Sequence, residues 1–490
     1  MNKPASPSAL ALASPSLWRR VPIAWVQLGI VIAALGVWSL AKTVDPDFWW
    51  HLRTGKLILE SGIPRHDPFS WTAAGKAWVT HEWLSEVIIY AVESTFGYLG
   101  NVLLFGTVVS GAMLVAYALG RRLGAGTKPL VLLMFPAVLV MVRFVAVRPQ
   151  EFTWLLFAVF VYVLQRREEG DAMPLWVLPP LMALWVNLHL GFVYGLMAVA
   201  VWTLVQVARW LRSRGVGLRT PLLVAGGCLL ATLFNPNGPA ILIYPLHYLQ
   251  GGSERSLILE WQRPDLTSVV NIPITLTLVL LAVSLPWQRR RPFLAILSLA
   301  AVALGVQAAR NLPFAVLLLL PVAGSAAADH WRAASRAWDS GMTFRTLPGV
   351  ALTGGLAVCL LAIAPSFGAS LSGFRPSNDG YPSGGVSFIE SNYSGARLFN
   401  DYGWGGYVID RLYPNTPVFI DGREEFYGSK IFGDYIHVLR VDDGWDDLLS
   451  QYGVEVALIE RDSKLAKAMR DAGDWQEEFS GPVESVFIRR

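Results

Sequence analysis

Residues 21–40 read V-P-I-A-W-V-Q-L-G-I-V-I-A-A-L-G-V-W-S-L, with Arg19 and Arg20 directly before them. An uncharged apolar run of about 20 residues matches the hydrocarbon thickness of a bilayer. No small-residue cleavage site follows, so the run reads as a retained signal-anchor rather than a removed leader. Working outward, comparable runs cover residues 99–119, 130–142, 152–164, 175–186, 192–208, 221–234, 272–285, 293–308, 312–327 and 349–364. That makes about eleven candidate spans, some short enough to be broken or merged. The expected fold is mainly α, a polytopic transmembrane helical bundle.

Composition agrees. Of 490 residues, 53% are hydrophobic and 16% charged, with a mean hydropathy of +0.43, whereas soluble domains carry charge on about a quarter of their residues. A typical cytosolic enzyme and a disordered or fibrous protein are excluded. Residues 1–374 hold about 28 Lys and Arg against about 16 Asp and Glu, and residues 375–490 about 12 against about 20. The pI near 9.0 therefore reflects basic loops beside lipid head groups. No basic stripe with interleaved aromatics marks a nucleic-acid surface, and nucleic acid is not an expected partner. Cys228 and Cys359 both sit in apolar runs, which supports neither a disulfide framework nor a thiolate metal site.

Basic loops set the orientation. With residues 1–20 as a disordered cytoplasmic N-terminus, Arg121, Arg122 and Lys128, Arg166 and Arg167, Arg209 to Arg219, Arg289 to Arg291, and Arg332 to Arg345 all fall on the cytoplasmic side. The transmembrane region, residues 21–368, then presents a first outer loop, residues 43–83, to the same compartment as the tail, residues 375–490. In the tail, expected strands at 396–399, 417–420, 454–459 and 485–488 alternate with expected helices near 386–390, 404–412, 429–438, 445–451 and 464–471. That alternation predicts an extracytoplasmic C-terminal α/β domain with a mostly parallel sheet. No glycine-rich phosphate loop follows a strand, so nucleotide binding is not indicated.

The densest polar constellation is in the first outer loop: V-D-P-D-F-W-W-H-L-R-T-G at 44–55, I-P-R-H-D-P-F-S at 63–70 and T-H-E-W-L-S-E at 80–86. With Asp45 as N-cap and Pro46 in the first turn, Asp47 and His51 share one helical face, with Thr54 nearby. The plainer reading makes Asp45 only a cap and Trp49, Trp50, Trp71, Trp78 and Trp83 an interfacial belt. Glu82 reads either as a site residue or as a charge favouring a helix N-terminus. Further polar groups recur at the outer span ends: Arg143, Arg148 and Glu151, Asn187 and His189, Asn235 and Asn237, Glu260 and Trp261, and Arg310. Ionisable groups at membrane depth are costly and face cavities or partners. Arg148 and Arg310 suit an anionic phosphate, since guanidinium offers forked donors at constant charge.

Taken in order, D-P-D-F-W-W-H-L-R-T-G, H-E-W-L-S-E, N-L-H-L-G-F, F-N-P-N-G-P, E-W-Q-R-P-D, R-N-L-P, N-D-Y-G-W-G-G-Y and V-F-I-D-G-R-E-E-F-Y-G resemble bacterial multi-spanning GT-C glycosyltransferases over most of the chain. The first loop and the segment Asp401 to Tyr407 are more distantly similar to oligosaccharyltransferase catalytic subunits. The resemblance implies an integral protein of the bacterial inner membrane that takes a sugar from a polyprenyl-phosphate-linked donor. The acceptor would be a glycan, lipid or protein outside the cytoplasm. It also implies a catalytic acidic residue in the first outer loop. Many relatives have adjacent acidic residues there, whereas this chain has Asp-Pro-Asp, which leaves Asp47 and Asp45 as alternative bases.

A sugar phosphate already carries a good leaving group, so transfer needs a base on the acceptor and cations around the departing phosphate. Asp47, with Asp45 as alternative, is the expected base; His51, His81 and Glu82 orient the acceptor or tune it. Arg53, Arg148, Arg310, Asn187, His189 and Glu260 are the candidate phosphate and donor contacts. Direct displacement by one base predicts inversion. In the tail, Asp401, Tyr402, Trp404, Asp421 and Arg423 are candidate substrate contacts, and the plainer reading pairs Asp421 with Arg423. Magnesium or manganese fits oxygen ligands at Asp45, Asp47 and Glu82, although the spacing does not require a metal. A lipid or polysaccharide transporter, or a non-catalytic scaffold or sensor, is the alternative class. A transporter predicts midplane charges in two related halves, which this sequence lacks.

Overall fold

The computed structural model describes residues 44–213, 217–250, 259–330 and 380–490. The expected N-terminal segment and the expected spans at 21–40 and 349–364 lie outside them.

Helix α1 (Pro46–Ser61) starts as D-P-D demands: Asp45 accepts the Asp47 N–H at 3.0 Å and Pro46 fills the first turn. The next helix, α2 (Trp83–Arg122), has 40 residues, about 60 Å if straight and twice what a bilayer needs. Gly97, at φ 65°, breaks it, so the segment before the break packs along α1 and the segment after it enters the bundle. The body continues through α3 (Thr127–Met141), α4 (Gln150–Glu168), α5 (Leu178–Leu188), α6 (Phe192–Ser213), α7 (Arg219–Ala231), α8 (Ala240–Gln250), α9 (Ile272–Ser284), α10 (Pro292–Gln307) and α11 (Leu312–His330).

Among the described residues, four helical stretches are long and apolar enough to cross a membrane: Trp83–Arg122, Phe192–Ser213, Val269–Gln288 and Ala309–Asp329. Four shorter apolar ones accompany them, Pro129–Met141, Leu175–Leu188, Arg219–Ala231 and Pro292–Gln307. The described helices therefore do not reach the expected count of about eleven. Helix α11 is central, packed on α2, α3, α9 and α10. Helix α7 buries Val224 and Cys228 and exposes Leu222, Leu223 and Leu230 outward, an apolar exterior suited to lipid rather than water.

The basic helix ends meet on one face. Asp171 takes both Arg122 at 2.6 Å and Arg166 at 2.7 Å, Arg209 reaches Glu168 at 2.6 Å, and Arg291 reaches Glu169 and Asp329, each at 3.2 Å. The opposite helix ends carry Glu82, Arg148, His189 and Arg310.

The tail has α12 (Ser383–Asn392), β1 (Leu398–Asn400), α13 (Gly405–Leu412), α14 (Glu424–Arg440), α15 (Trp445–Tyr452), β2 (Val456–Glu460), α16 (Lys464–Asp471), β3 (Trp475–Ser480) and β4 (Glu484–Arg489). Its strand order is β1-β2-β4-β3. Only β1 and β2 are parallel, while β4 is antiparallel to both neighbours. This corrects the mostly parallel expectation. Strand β3, W-Q-E-E-F-S, carries no strand signal in the sequence because its exposed positions, Gln476, Glu478 and Ser480, are polar. The expected strand at 417–420 joins no sheet. Val418 instead exchanges backbone hydrogen bonds with the first loop, its N–H to Phe69 O at 3.0 Å and its carbonyl from Trp71 N–H at 3.1 Å.

Aromatic burial completes that junction. Trp49 lies edge-on to Tyr407 at 5.1 Å and to Tyr381 at 5.6 Å, and Trp49, Trp50 and Trp78 are all buried. These tryptophans bind loop to tail instead of forming an interfacial belt.

Candidate active site

A cavity of about 570 Å³ opens between the first loop, the helix ends opposite the basic face and the tail. Asp47, His51, His81, Glu82, Arg148, His189, Glu260, Arg310, Tyr402 and Arg423 all line it. Asp45 does not. It faces a smaller cavity with Tyr98 and Arg143.

Arg148 stands between α3 and α4 on a turn held by Glu151, whose buried carboxylate takes the Ala146 N–H at 2.5 Å. Its guanidinium joins three chain segments. Nε donates to Asp45 at 2.9 Å, Nη1 to Glu260 at 2.8 Å, and Nη2 to Asp47. Guanidinium has five N–H groups, so two remain for another acceptor. Trp50 Nε1 donates to the other Asp47 oxygen at 3.2 Å. Burial pushes the Asp45 carboxyl above the usual carboxylate range; Arg148 opposes that rise and the Asp47 charge adds to it.

Glu82 holds the second half. His189 Nε2 lies 3.3 Å and His81 Nε2 3.4 Å from one carboxylate oxygen, with His51 Nε2 3.8 Å from the other. Burial raises the Glu82 carboxyl, but His81, His189 and His51 outweigh it and leave it well below the usual range. His189 Nδ1 accepts the Gly191 N–H at 2.9 Å, so its proton resides on Nε2 and points to Glu82. Burial drives His189 down to about 4, which keeps this imidazole neutral near pH 7. The ligand atoms of His51, Glu82 and Glu86 lie within 4.8 Å of one another, a donor set able to take a cation.

The Arg310 guanidinium carbon lies over Trp261, 4.0 Å from its ring centre. Stacking leaves the N–H edge of guanidinium available to an anion. Glu260, expected among the donor contacts, lines the cavity and anchors Arg148. Asn187 lies outside the cavity lining: it accepts from Trp83 at 2.7 Å and donates to Ala183 O and Phe234 O, both at 2.7 Å. Arg53 turns toward the Asp410 carbonyl and away from the cavity.

In the tail, Tyr402 borders the cavity, whereas Trp404 is buried and donates to Gly380 O at 3.0 Å. Asp421 and Arg423 form a buried pair, as the plainer reading held, with Arg423 Nη2 at 2.6 Å from Asp421 and Nη1 at 2.7 Å from Asp67 of the first loop. Sequence reasoning missed Asp67; its signal was a second D-P pair in the loop, repeating Asp45-Pro46. Asp401 caps the turn that carries Tyr402, accepting the Gly403 N–H at 2.8 Å.

Two consequences are testable. Gly422 abuts Asp47, and a Cβ there would overlap the Asp47 carboxylate and lie 3.2 Å from Trp50 Nε1. Gly422→Val should push the Asp47 carboxylate off Trp50 Nε1, visible as loss of that contact in a structure of the variant; an unmoved carboxylate would mean that the tail loop yields instead. The second concerns Asp401, whose carboxyl burial pushes up to about 6, the Gly403 N–H opposing it. A carboxyl with a raised folded pKa favours folding most below its unfolded value, near 3.8, and loses that contribution as pH rises through about 6. Melting temperature should fall through this group between about pH 4 and pH 7, and Asp401→Asn should remove that part of the fall. An unaltered pH profile in the mutant would contradict it.

No family model and no curated protein sequence matches the chain. Solved structures do. ArnT from Cupriavidus metallidurans bound to undecaprenyl phosphate aligns with a TM-score of 0.53 and 14% identity over 95% of this chain and 97% of its own. The Archaeoglobus fulgidus oligosaccharyltransferase aligns at 0.57 and 12% identity over 89% and 70%. The arabinofuranosyltransferase AftD from Mycobacteria aligns at 0.54 and 12%, over 94% of this chain but 40% of AftD. The chain thus has the GT-C glycosyltransferase fold to which its ordered motifs pointed, and it is built as a membrane protein.

Proposed function

We propose that this protein is an integral-membrane glycosyltransferase that moves a hexose or pentose from a polyprenyl-phosphate-linked donor to a glycan, lipid or protein outside the cytoplasm. The observation that carries this reading is one cavity lined by a carboxylate, Asp47, and by two arginines able to take phosphate oxygens, Arg148 and Arg310. Asp47 accepts the acceptor's proton on a lone pair left free by Arg148 and Trp50. The acceptor oxygen or nitrogen then attacks the anomeric carbon as the carbon–phosphate-oxygen bond breaks. Arg310 and the two remaining Arg148 N–H groups stabilise the charge that gathers on the departing phosphate. Glu82, with its histidines, orients the acceptor from the other wall. A single displacement inverts the anomeric carbon.

The structural neighbours support the ligand class: ArnT was solved with undecaprenyl phosphate, and an archaeal oligosaccharyltransferase with a dolichol-phosphate and an inhibitory peptide. The location proposed is the bacterial inner membrane, with about eleven spans, a cytoplasmic N-terminus and basic face, and the loop and tail outside. Purified protein in lipid nanodiscs, supplied with a panel of polyprenyl-phosphate-linked hexoses and pentoses and envelope acceptors, should transfer one of them with inverted configuration by NMR. Retained configuration would exclude direct displacement. Donor binding without transfer by any panel member would favour a carrier or sensor.

A further inference from the structure

Three carboxylates from two segments, Asp45 and Asp47 at the start of α1 and Glu260 far along the chain, converge on one point, an oxygen-rich set of the kind that suits magnesium or manganese. The point is already filled. Each carboxylate gives an oxygen to a different nitrogen of Arg148. A magnesium ion needs oxygens at about 2.0–2.1 Å in octahedral array, and at this centre it would occupy the volume of the guanidinium. The arginine is also rooted. Its turn is stapled by buried Glu151, which takes the Ala146 N–H and whose own N–H bonds the Arg148 carbonyl at 3.3 Å. The carboxylate set therefore does not fit a metal while Arg148 stays in place.

We propose that Arg148 is a built-in cation in the position a divalent metal would take, gathering Asp45, Asp47 and Glu260 and leaving two N–H groups for the donor phosphate, so that transfer runs without a divalent cation. Guanidinium keeps its charge at any working pH and fixes direction through planar donors, which a labile ion does only while bound. The activity half of this inference rests on the transferase reading; the metal-binding half does not.

The test uses the full-length protein in nanodiscs. Transfer by the wild type should change less than about twofold between excess EDTA and millimolar magnesium or manganese. Manganese titration followed by electron paramagnetic resonance should reveal no bound ion that Asp45→Asn removes. Any ion at the His51, Glu82 and Glu86 group is told apart because Glu86→Gln removes it and Asp45→Asn does not. Arg148→Ala should gain one bound manganese, lost again in Asp45→Asn with Arg148→Ala, and its weakened transfer should recover in part on adding that ion. EDTA-sensitive wild-type transfer, or Asp45-dependent manganese binding by the wild type, would overturn the proposal. So would an Arg148→Ala protein that folds and binds no manganese. If no donor is ever turned over, the transferase reading fails and the manganese measurements still decide the role of Arg148. If Arg148→Ala does not fold, the wild-type and Asp45→Asn measurements decide it alone.

Discussion

Asp47→Asn is expected to lower sugar transfer by about 10²- to 10⁴-fold, the usual worth of a positioned general base, with folding and donor binding retained. The amide matches the carboxylate in shape, and its oxygen can still accept from Trp50. Arg148 keeps Asp45 and Glu260, so the arginine should not collapse into the cavity. The lost element is basicity toward the acceptor. Asp45→Asn is the informative control, because Asn caps helices as well as Asp does and Asp45 is absent from the lining of the large cavity. Its loss should be far smaller. Single-turnover kinetics on both variants, with donor affinity measured in parallel, separates the two; inactive Asp45→Asn beside active Asp47→Asn would reverse the assignment.

Arg423→Met should cost about 3–5 kcal/mol, because removing one partner of a buried ion pair leaves the others uncompensated. Arg423 is 3% exposed, and the buried carboxylates of Asp421 and Asp67 both end on it. Burial alone would lower the affinity of this guanidinium for its proton, but Asp421 and Asp67 raise it well above the ordinary value. The group is therefore charged throughout the working range. Its plane also lies 4.6 Å from the Trp78 ring centre, a contact Met retains only as packing. Thermal unfolding and limited proteolysis should show the tail released from the first loop, with transfer lost in step. Adding Asp67→Asn and Asp421→Asn to Arg423→Met should recover part of the stability, since the stranded charges are then gone. No recovery would place the cost in packing instead.

Much of this arrangement was legible in the residues. D-P-D announced a capped helix, and uncharged runs ending in arginines announced a bundle with one basic face, because span length and loop charge are local properties. The convergence of Asp47, Arg148 and Arg310 followed from putting all three at outer helix ends. What stayed hidden depends on partners far along the chain. A lone Glu260 carries no local mark of being the third ligand of Arg148, and Asn187 looks like a site residue until Trp83 and Phe234 are found beside it. The apolar segment at 417–420 has the pattern of a strand, yet its neighbour is the first loop. Strand β3 was missed for the opposite reason: its outward face is polar enough to read as a turn.

The bond between Asp67 and Arg423 joins residues 356 positions apart, and the order of synthesis gives that separation a meaning. A ribosome delivers the first loop long before the tail, so Asp67 and the loop tryptophans are made before the residues that cover them. The large cavity, lined by both the loop and the tail, is complete only once the tail has been made and has docked. A chain that stops short of the tail leaves Asp67 without Arg423 and Trp49 without Tyr381 and Tyr407, a buried charge and an aromatic face both open to water. Closure of the cavity thus waits on a segment made 356 residues after the loop it covers.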